Sequence, residues 1–241
     1  MRAVTVLASG GSAMGSMKRR RGSTVRLARR WSAWHTLEIV TLTSFLSDPP
    51  VGSPVSAVYE DSVASDGYVP NYVRLWCWRP EILEAFAKLR ADLLADSTLS
   101  AREVAVMVAS TASALGDSYC SLAWGEKLAD LSDGQTAADV IHGVDTGLSG
   151  REAALAVWSR AVVDDPNATT EVGVDRLREA GLSEREIFEA TAWIGLRLGF
   201  STINDALGAK PDAQLVERVP AVVREAVSFG RQKGHVREEL L

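Results

Sequence analysis

Cysteine is scarce in this chain: there are two in 241 residues, Cys77 and Cys120, too few for a disulfide framework. The three histidines, His35, His142 and His235, stand far apart and fit no ligand spacing, so no metal site is expected. No apolar run reaches the roughly 18 residues that a membrane span requires, and no membrane partner is expected. Segments that alternate polar and apolar residues as a half-buried strand does are missing, and so is any hairpin signal. Positive charge is short in the body of the chain, which excludes the electrostatic platform that nucleic acid needs.

What is present is the composition of an ordinary globular protein, 46% apolar and 24% charged, in a length that buries one good-sized core, or a core with an arm. The net charge of −5 conceals an asymmetry. Residues 1–43 hold Arg2, Lys18, Arg19, Arg20, Arg21, Arg26, Arg29 and Arg30 against one acid, Glu38, so this stretch is +7 and the remainder −12. The stretch is linker-like from Ser9 to Ser16 and then basic, with a short helix allowed from Trp31 to Leu42. Three readings of it stand: a weakly ordered tail, a basic surface-binding arm, and a transit peptide, because it is rich in Arg and Ser. Its first apolar residues are broken by Ser9-Gly-Gly, and Arg19 to Arg21 lead into Gly-Ser-Thr, so neither a secretory nor a twin-arginine signal is expected. The expected organisation is a basic, weakly ordered arm over 1–43, a helical domain over 44–232 and a tail over 233–241, in a cytoplasmic protein.

From Phe45 onward the composition is that of a folded domain. Pro49, Pro50 and Pro54 predict an extended start. Pro80 opens a helix over 81–94, where its missing N–H costs nothing. Leu99-Ser-Ala-Arg-Glu, Leu148-Ser-Gly-Arg-Glu and Leu182-Ser-Glu-Arg-Glu then repeat one phrase. Each reads as a capping box: Ser100, Ser149 and Ser183 cap, Glu103, Glu152 and Glu186 reach back, and the leucine acts as a staple. Leu131-Ser-Asp-Gly-Gln is a weaker fourth copy. Val104 to Ala114 has almost no polar face and is predicted to be central. A long helix over 184–207 turns apolar toward Phe200 and stops at Gly208, with Pro211 just beyond. The expected fold is all-α, a helical bundle with one apolar central helix.

Gly116-Asp117-Ser118-Tyr119-Cys120-Ser121-Leu122-Ala123-Trp124 is the stretch most suggestive of chemistry. Asp117 or Ser118 can cap a helix there, which sets Cys120 in its first turn, where unpaired N–H groups and the helix dipole favour a thiolate. Asp117 opposes that by its own charge. Trp124 follows one turn later on the same face and can pack on the sulfur; Lys127, seven residues on, shares that face. The stretch resembles the redox motif of the AhpD-like, carboxymuconolactone decarboxylase superfamily, Cys-x-x-Cys-x-x-x-His at a helix start. Cys120 takes the second cysteine position, while Asp117 stands in place of the first and Trp124 in place of the histidine. The superfamily's acidic relay position falls on Ala105, with Glu103 two residues away. Tyr68-Val-Pro-Asn-Tyr-Val-Arg-Leu-Trp-Cys-Trp-Arg-Pro-Glu is similar to the same superfamily's lead-in, where Val-Pro-Asn precedes one short helix and Pro-Glu opens the next. The resemblance covers roughly residues 50 to 215.

That resemblance implies an AhpD-like bundle assembling as a trimer or hexamer, without a cofactor, acting as a peroxidase-type antioxidant oxidoreductase with a small-molecule substrate and a thiol reductant as partners. With Asp117 in place of the first thiol no disulfide forms within the motif, and a lone sulfenate over-oxidises unless another thiol resolves it. The candidate catalytic residues are Cys120, Glu103 and Lys127; Asp117, Tyr119, Trp124, Asn71, Tyr72 and Trp76 are candidates to line the motif or a small apolar pocket. Plainer readings stand beside these. Cys120 can be a half-buried structural cysteine, Glu103 a cap, Lys127 a surface lysine and the aromatics core. Cys77, between Trp76 and Trp78, is a core residue or an alternative resolving thiol, and His142 a helix-end residue. Two further functions stay open: a redox-inactive relative that binds a small apolar ligand, and a cysteine-independent lyase like the decarboxylase branch. The lyase needs an acid–base set that no histidine near the motif supplies.

Overall fold

The computed structural model describes residues 43–231, and among the described residues there are eleven helices and no strand. The expected arm up to residue 42 and the expected tail lie outside the described residues, with His35 and His235. In chain order the helices are α1 (Ser53–Asp66), α2 (Asn71–Trp76), α3 (Pro80–Ala95), α4 (Ala101–Leu115), α5 (Ser118–Leu131), α6 (Gly134–Ile141), α7 (Gly150–Asp164), α8 (Glu171–Glu179), α9 (Glu184–Ala206), α10 (Ala213–Arg218) and α11 (Ala221–Ala226). The extended start ends sooner than Pro54 implies. That proline sits in the first turn of α1, where a missing N–H is as harmless as at Pro80.

All three expected capping boxes form. Ser100 Oγ accepts from the Glu103 N–H at 3.1 Å, and the Ser100 N–H donates back to the Glu103 carboxylate at 2.7 Å. Ser149 with Glu152, and Ser183 with Glu186, repeat this at α7 and α9. The weaker fourth start is capped by Asp133 rather than Ser132: its carboxylate accepts from the Thr136 N–H at 2.9 Å. The three boxes converge. Arg151 donates to both Glu103 and Glu186, and Arg102 pairs with Glu152 at 2.8 Å. So α4, α7 and α9 all start at one end of the bundle, each positive dipole end met by a glutamate.

Helix α4 is the hub. From Val104 to Ala112 every residue is buried, and its two flanks serve two cores. Ala105, Val106, Ala109 and Ala112 belong to the one that holds Cys77, Tyr119, Cys120 and Phe200. Val104, Met107 and Val108 belong to the one that holds Leu155, Trp158, Trp193 and Ile194. The central helix expected at this place is therefore present, wrapped chiefly by α5, α7 and α9.

The turn from α4 into α5 positions the thiol. Gly116, at φ +78°, closes α4 with paired bonds: its own N–H to Ser113 O at 3.1 Å and the Asp117 N–H to Ala112 O at 2.9 Å. This is a Schellman motif, and glycine is the residue that takes that φ without strain. Asp117 thus ends one helix and begins the next.

Candidate active site

Cys120 lies in the first turn of α5, as its spacing from the cap predicts. The Asp117 carboxylate accepts from the Cys120 N–H at 2.9 Å, so Asp117, not Ser118, is the cap. From α9 two groups reach the sulfur: Arg197 donates from Nη2 at 2.9 Å and Ser201 from Oγ at 3.6 Å. Arg197 is 3% exposed, with its guanidinium over the Phe200 ring at 4.8 Å and the Trp124 ring at 5.7 Å. Burial pushes the Cys120 thiol up to about 12; Arg197 pulls it down, and Asp117 adds to the rise through charge and hydrogen bonding. The resting sulfur is therefore a thiol in contact with both a cation and an anion.

Above the sulfur opens a pocket of about 320 Å³, at the small end of the range for ligand sites. Tyr68, Tyr72, Tyr119, Trp124 and Phe200 supply its rings, and Arg90 of α3 joins Arg197 in its wall. Tyr119 is fixed by donating its hydroxyl to Asp212, and burial with the Asp212 charge holds its pKa far above the ordinary phenol value. Asp212 is itself pushed up by burial and accepts from the Asn71 N–H at 2.8 Å. Near the end of α9, burial and the charge of Asp117 raise Asp205 to about 6.

The residues singled out from sequence divide into two groups. Asp117, Tyr119, Cys120, Trp124 and Tyr72 come together at the pocket or directly under it. Trp76 stands one layer behind, stacked on Phe200 at 5.1 Å and donating to Asn204 Oδ1 at 2.8 Å. Asn71 clamps the start of α2 to the segment before α10, its side chain donating to Lys210 O at 2.9 Å. Glu103 is not brought to the thiol. It sits in the third position of α4, the whole helix away at about 18 Å along the axis, engaged by Ser100 and Arg151. Lys127 is exposed and is not among the residues that line the pocket. Cys77 and Cys120 are both buried, free thiols, and Cys77 borders a separate hollow with Pro49 and Trp78.

Several residues of the site were not anticipated: Arg90, Arg197 and Ser201 around the sulfur, and Phe200 and Asp212 in the pocket wall. The one available signal was Arg197 itself, a lone charge in Ile194-Gly-Leu-Arg-Leu-Gly-Phe200, where a buried helix face otherwise carries none. Among the described residues no group of three or more His, Cys, Asp or Glu side chains is placed to hold a metal ion, and no helix is long and apolar enough to cross a membrane.

No protein-family model matches the chain, and no curated protein matches it in sequence. Solved structures do match. An uncharacterized peroxidase-related protein from Silicibacter sp. TM1040 aligns at a TM-score of 0.65 and 22% identity, over 72% of this chain and 94% of that one. An alkylhydroperoxidase AhpD core protein, peroxidase-related, from Ralstonia eutropha JMP134 aligns at 0.66 and 21%, over 74% and 98%. The debrominase Bmp8 aligns at 0.62 and 16%, over 78% and 98%; a cysteine-to-alanine variant of it, in complex with 2,3,4-tribromopyrrole, aligns at 0.58 and 17%, over 68% and 88%. The described residues have the AhpD-like fold.

Proposed function

We propose that this AhpD-like protein is a thiol-dependent oxidoreductase of the peroxidase class, with the Cys120 sulfur as its reacting atom. The observation that carries the reading is the Arg197 guanidinium 2.9 Å from that sulfur, at the floor of a pocket open to a small molecule. Asp117 takes the acidic role that the sequence sought at Glu103. As a hydroperoxide approaches, the thiol proton passes to Asp117 and Arg197 stabilises the thiolate. The sulfur attacks the terminal peroxide oxygen, the O–O bond breaks, and the departing alkoxide takes a proton from solvent in the open pocket, Asp117 returning its own to solvent afterwards. The products are an alcohol and a Cys120 sulfenic acid. One external thiol then displaces water to form a mixed disulfide, and a second releases Cys120 as thiol.

The raised pKa of Cys120 favours a second reading, a redox-inactive pocket that binds a small planar ligand. The brominated pyrrole held by the Bmp8 variant is a molecule of that shape. Cumene hydroperoxide with dithiothreitol as reductant separates the two. Consumption by the wild type that disappears in Cys120→Ser, together with a dimedone adduct on Cys120, supports the peroxidase reading. No consumption and no adduct from neutral to alkaline pH would sink it.

A further inference from the structure

The pocket holds more positive charge than one thiol needs. Among the described residues neither Arg90 nor Arg197 has a carboxylate partner, although the chain beyond residue 43 carries an excess of twelve acids. Arg197 Nε and Arg90 Nε are both buried without a hydrogen-bond partner. The acids of the pocket wall are committed elsewhere. Glu126 pairs with Arg218 at 2.6 Å, Asp212 accepts from Tyr119 and Asn71, and Asp66 accepts from Ser65 at 3.0 Å.

Two guanidinium groups therefore converge on the Phe200 ring, at 5.3 and 4.8 Å from its centre, and burial, followed by the neighbouring Arg197 charge, weakens the hold of Arg90 on its proton. Burying like charges together is unfavourable. Cation–π contacts offset part of this. An anion between the two would offset the rest, and an arginine pair presents forks that match a carboxylate. Around the two arginines the wall presents the rings of Tyr72, Trp124 and Phe200, suited to a flat unsaturated body, while Asp66, Glu126, Asp212 and Arg218 also line the pocket.

We infer that the pocket takes a small aromatic carboxylate, its charge held between Arg90 and Arg197 and its ring among Tyr72, Trp124 and Phe200. This rests on the reading of the pocket as the place where substrate meets Cys120, and it adds the substrate's chemical class: an organic anion carrying the group that the thiol attacks.

The test is calorimetric titration of the full-length Cys120→Ser protein with sodium benzoate and with benzamide, its neutral counterpart, near neutral pH. With the sulfur gone, the anion these arginines serve is the ligand's own and not a thiolate. Benzoate is expected to bind at least about tenfold tighter than benzamide, the factor for one charge-assisted hydrogen-bond set. Added to that protein, Arg90→Met should bring the ratio toward one with helical content unchanged by circular dichroism, and Arg90→Lys should restore part of it. Equal binding of the two probes, no binding of either, or a ratio unmoved by Arg90→Met overturns the inference. Hydroperoxide turnover by the wild type without benzoate selectivity sinks this inference and leaves the redox reading standing; selectivity without turnover does the reverse.

Discussion

Asp117 is the residue on which the chemistry turns. It is fully buried, it follows the glycine that ends α4, it caps α5, and its charge raises the pKa of the thiol it caps. These roles separate by substitution. Asparagine caps a helix as well as aspartate does but carries no charge. Asp117→Asn is therefore expected to keep α5 intact while lowering the Cys120 pKa from about 12. Iodoacetamide alkylation of Cys120 at mildly alkaline pH should become at least about tenfold faster, the factor for a shift of one pH unit. Arg197→Met should slow it. In the wild type the rate should go on climbing with pH above 9.0, because the thiol is raised from that value to about 12; a plateau near pH 9 contradicts the assignment. Cys120 and its cap were legible in the sequence because a cap is a matter of three residues. Arg197 was not, since its partner lies 77 residues away and no local pattern records such a contact. Of the two roles the sequence left open for Glu103, the cap is the one its local phrase records, and the length of α4 sets it at the end away from the thiol.

Among the elements, the helix starts were the most legible and the close approaches the least. Each capping box is written within four consecutive residues. The contact of α5 with α11 depends on Gly125, and there a Cβ would come within 2.6 Å of Val223 Cγ1 and 3.0 Å of Ile141 Cδ1. In the sequence it reads only as a glycine inside a helix. Alanine is the better helix former by about 1 kcal/mol, so on propensity alone Gly125→Ala stabilises. Overpacking against a branched side chain costs about 1–3 kcal/mol, and Val223 is fully buried with little room to give. The expected net result is destabilisation by about 1 kcal/mol, read as a lower urea midpoint at unchanged slope. A raised midpoint would show that α11 shifts freely.

At the scale of the whole molecule, the bundle has two unlike ends. One gathers the starts of α4, α7 and α9 under Arg102 and Arg151; the other holds the thiol and its pocket. The first end should govern behaviour in acid. Burial acts to raise Glu186, but bonds from Thr98, the Ser183 backbone and Arg151 together hold it down at about 2. A carboxylate depressed below its ordinary 4.5 contributes stability that is present above that value and is lost as pH falls toward 2. The melting temperature of the wild type should therefore drop across that interval. Glu186→Gln keeps the Ser183 cap but loses the charge that pairs with Arg151, so it should start lower near neutrality, by about 1 kcal/mol, and decline less on acidification. Parallel curves for the two proteins would refute the account. The pattern of boxes announced three helix starts, yet nothing in it showed that they meet, because assembly at one end follows from alternating helix direction and not from any one segment.

With only two sulfhydryls in the chain, and Cys77 enclosed in the apolar core, the protein carries its own reporter position. Once Cys77 is exchanged for alanine, a trifluoromethyl tag on Cys120 would sit at the pocket floor between two guanidinium groups. Its fluorine resonance would then register the arrival of any guest, spectroscopically and without a chemical turnover.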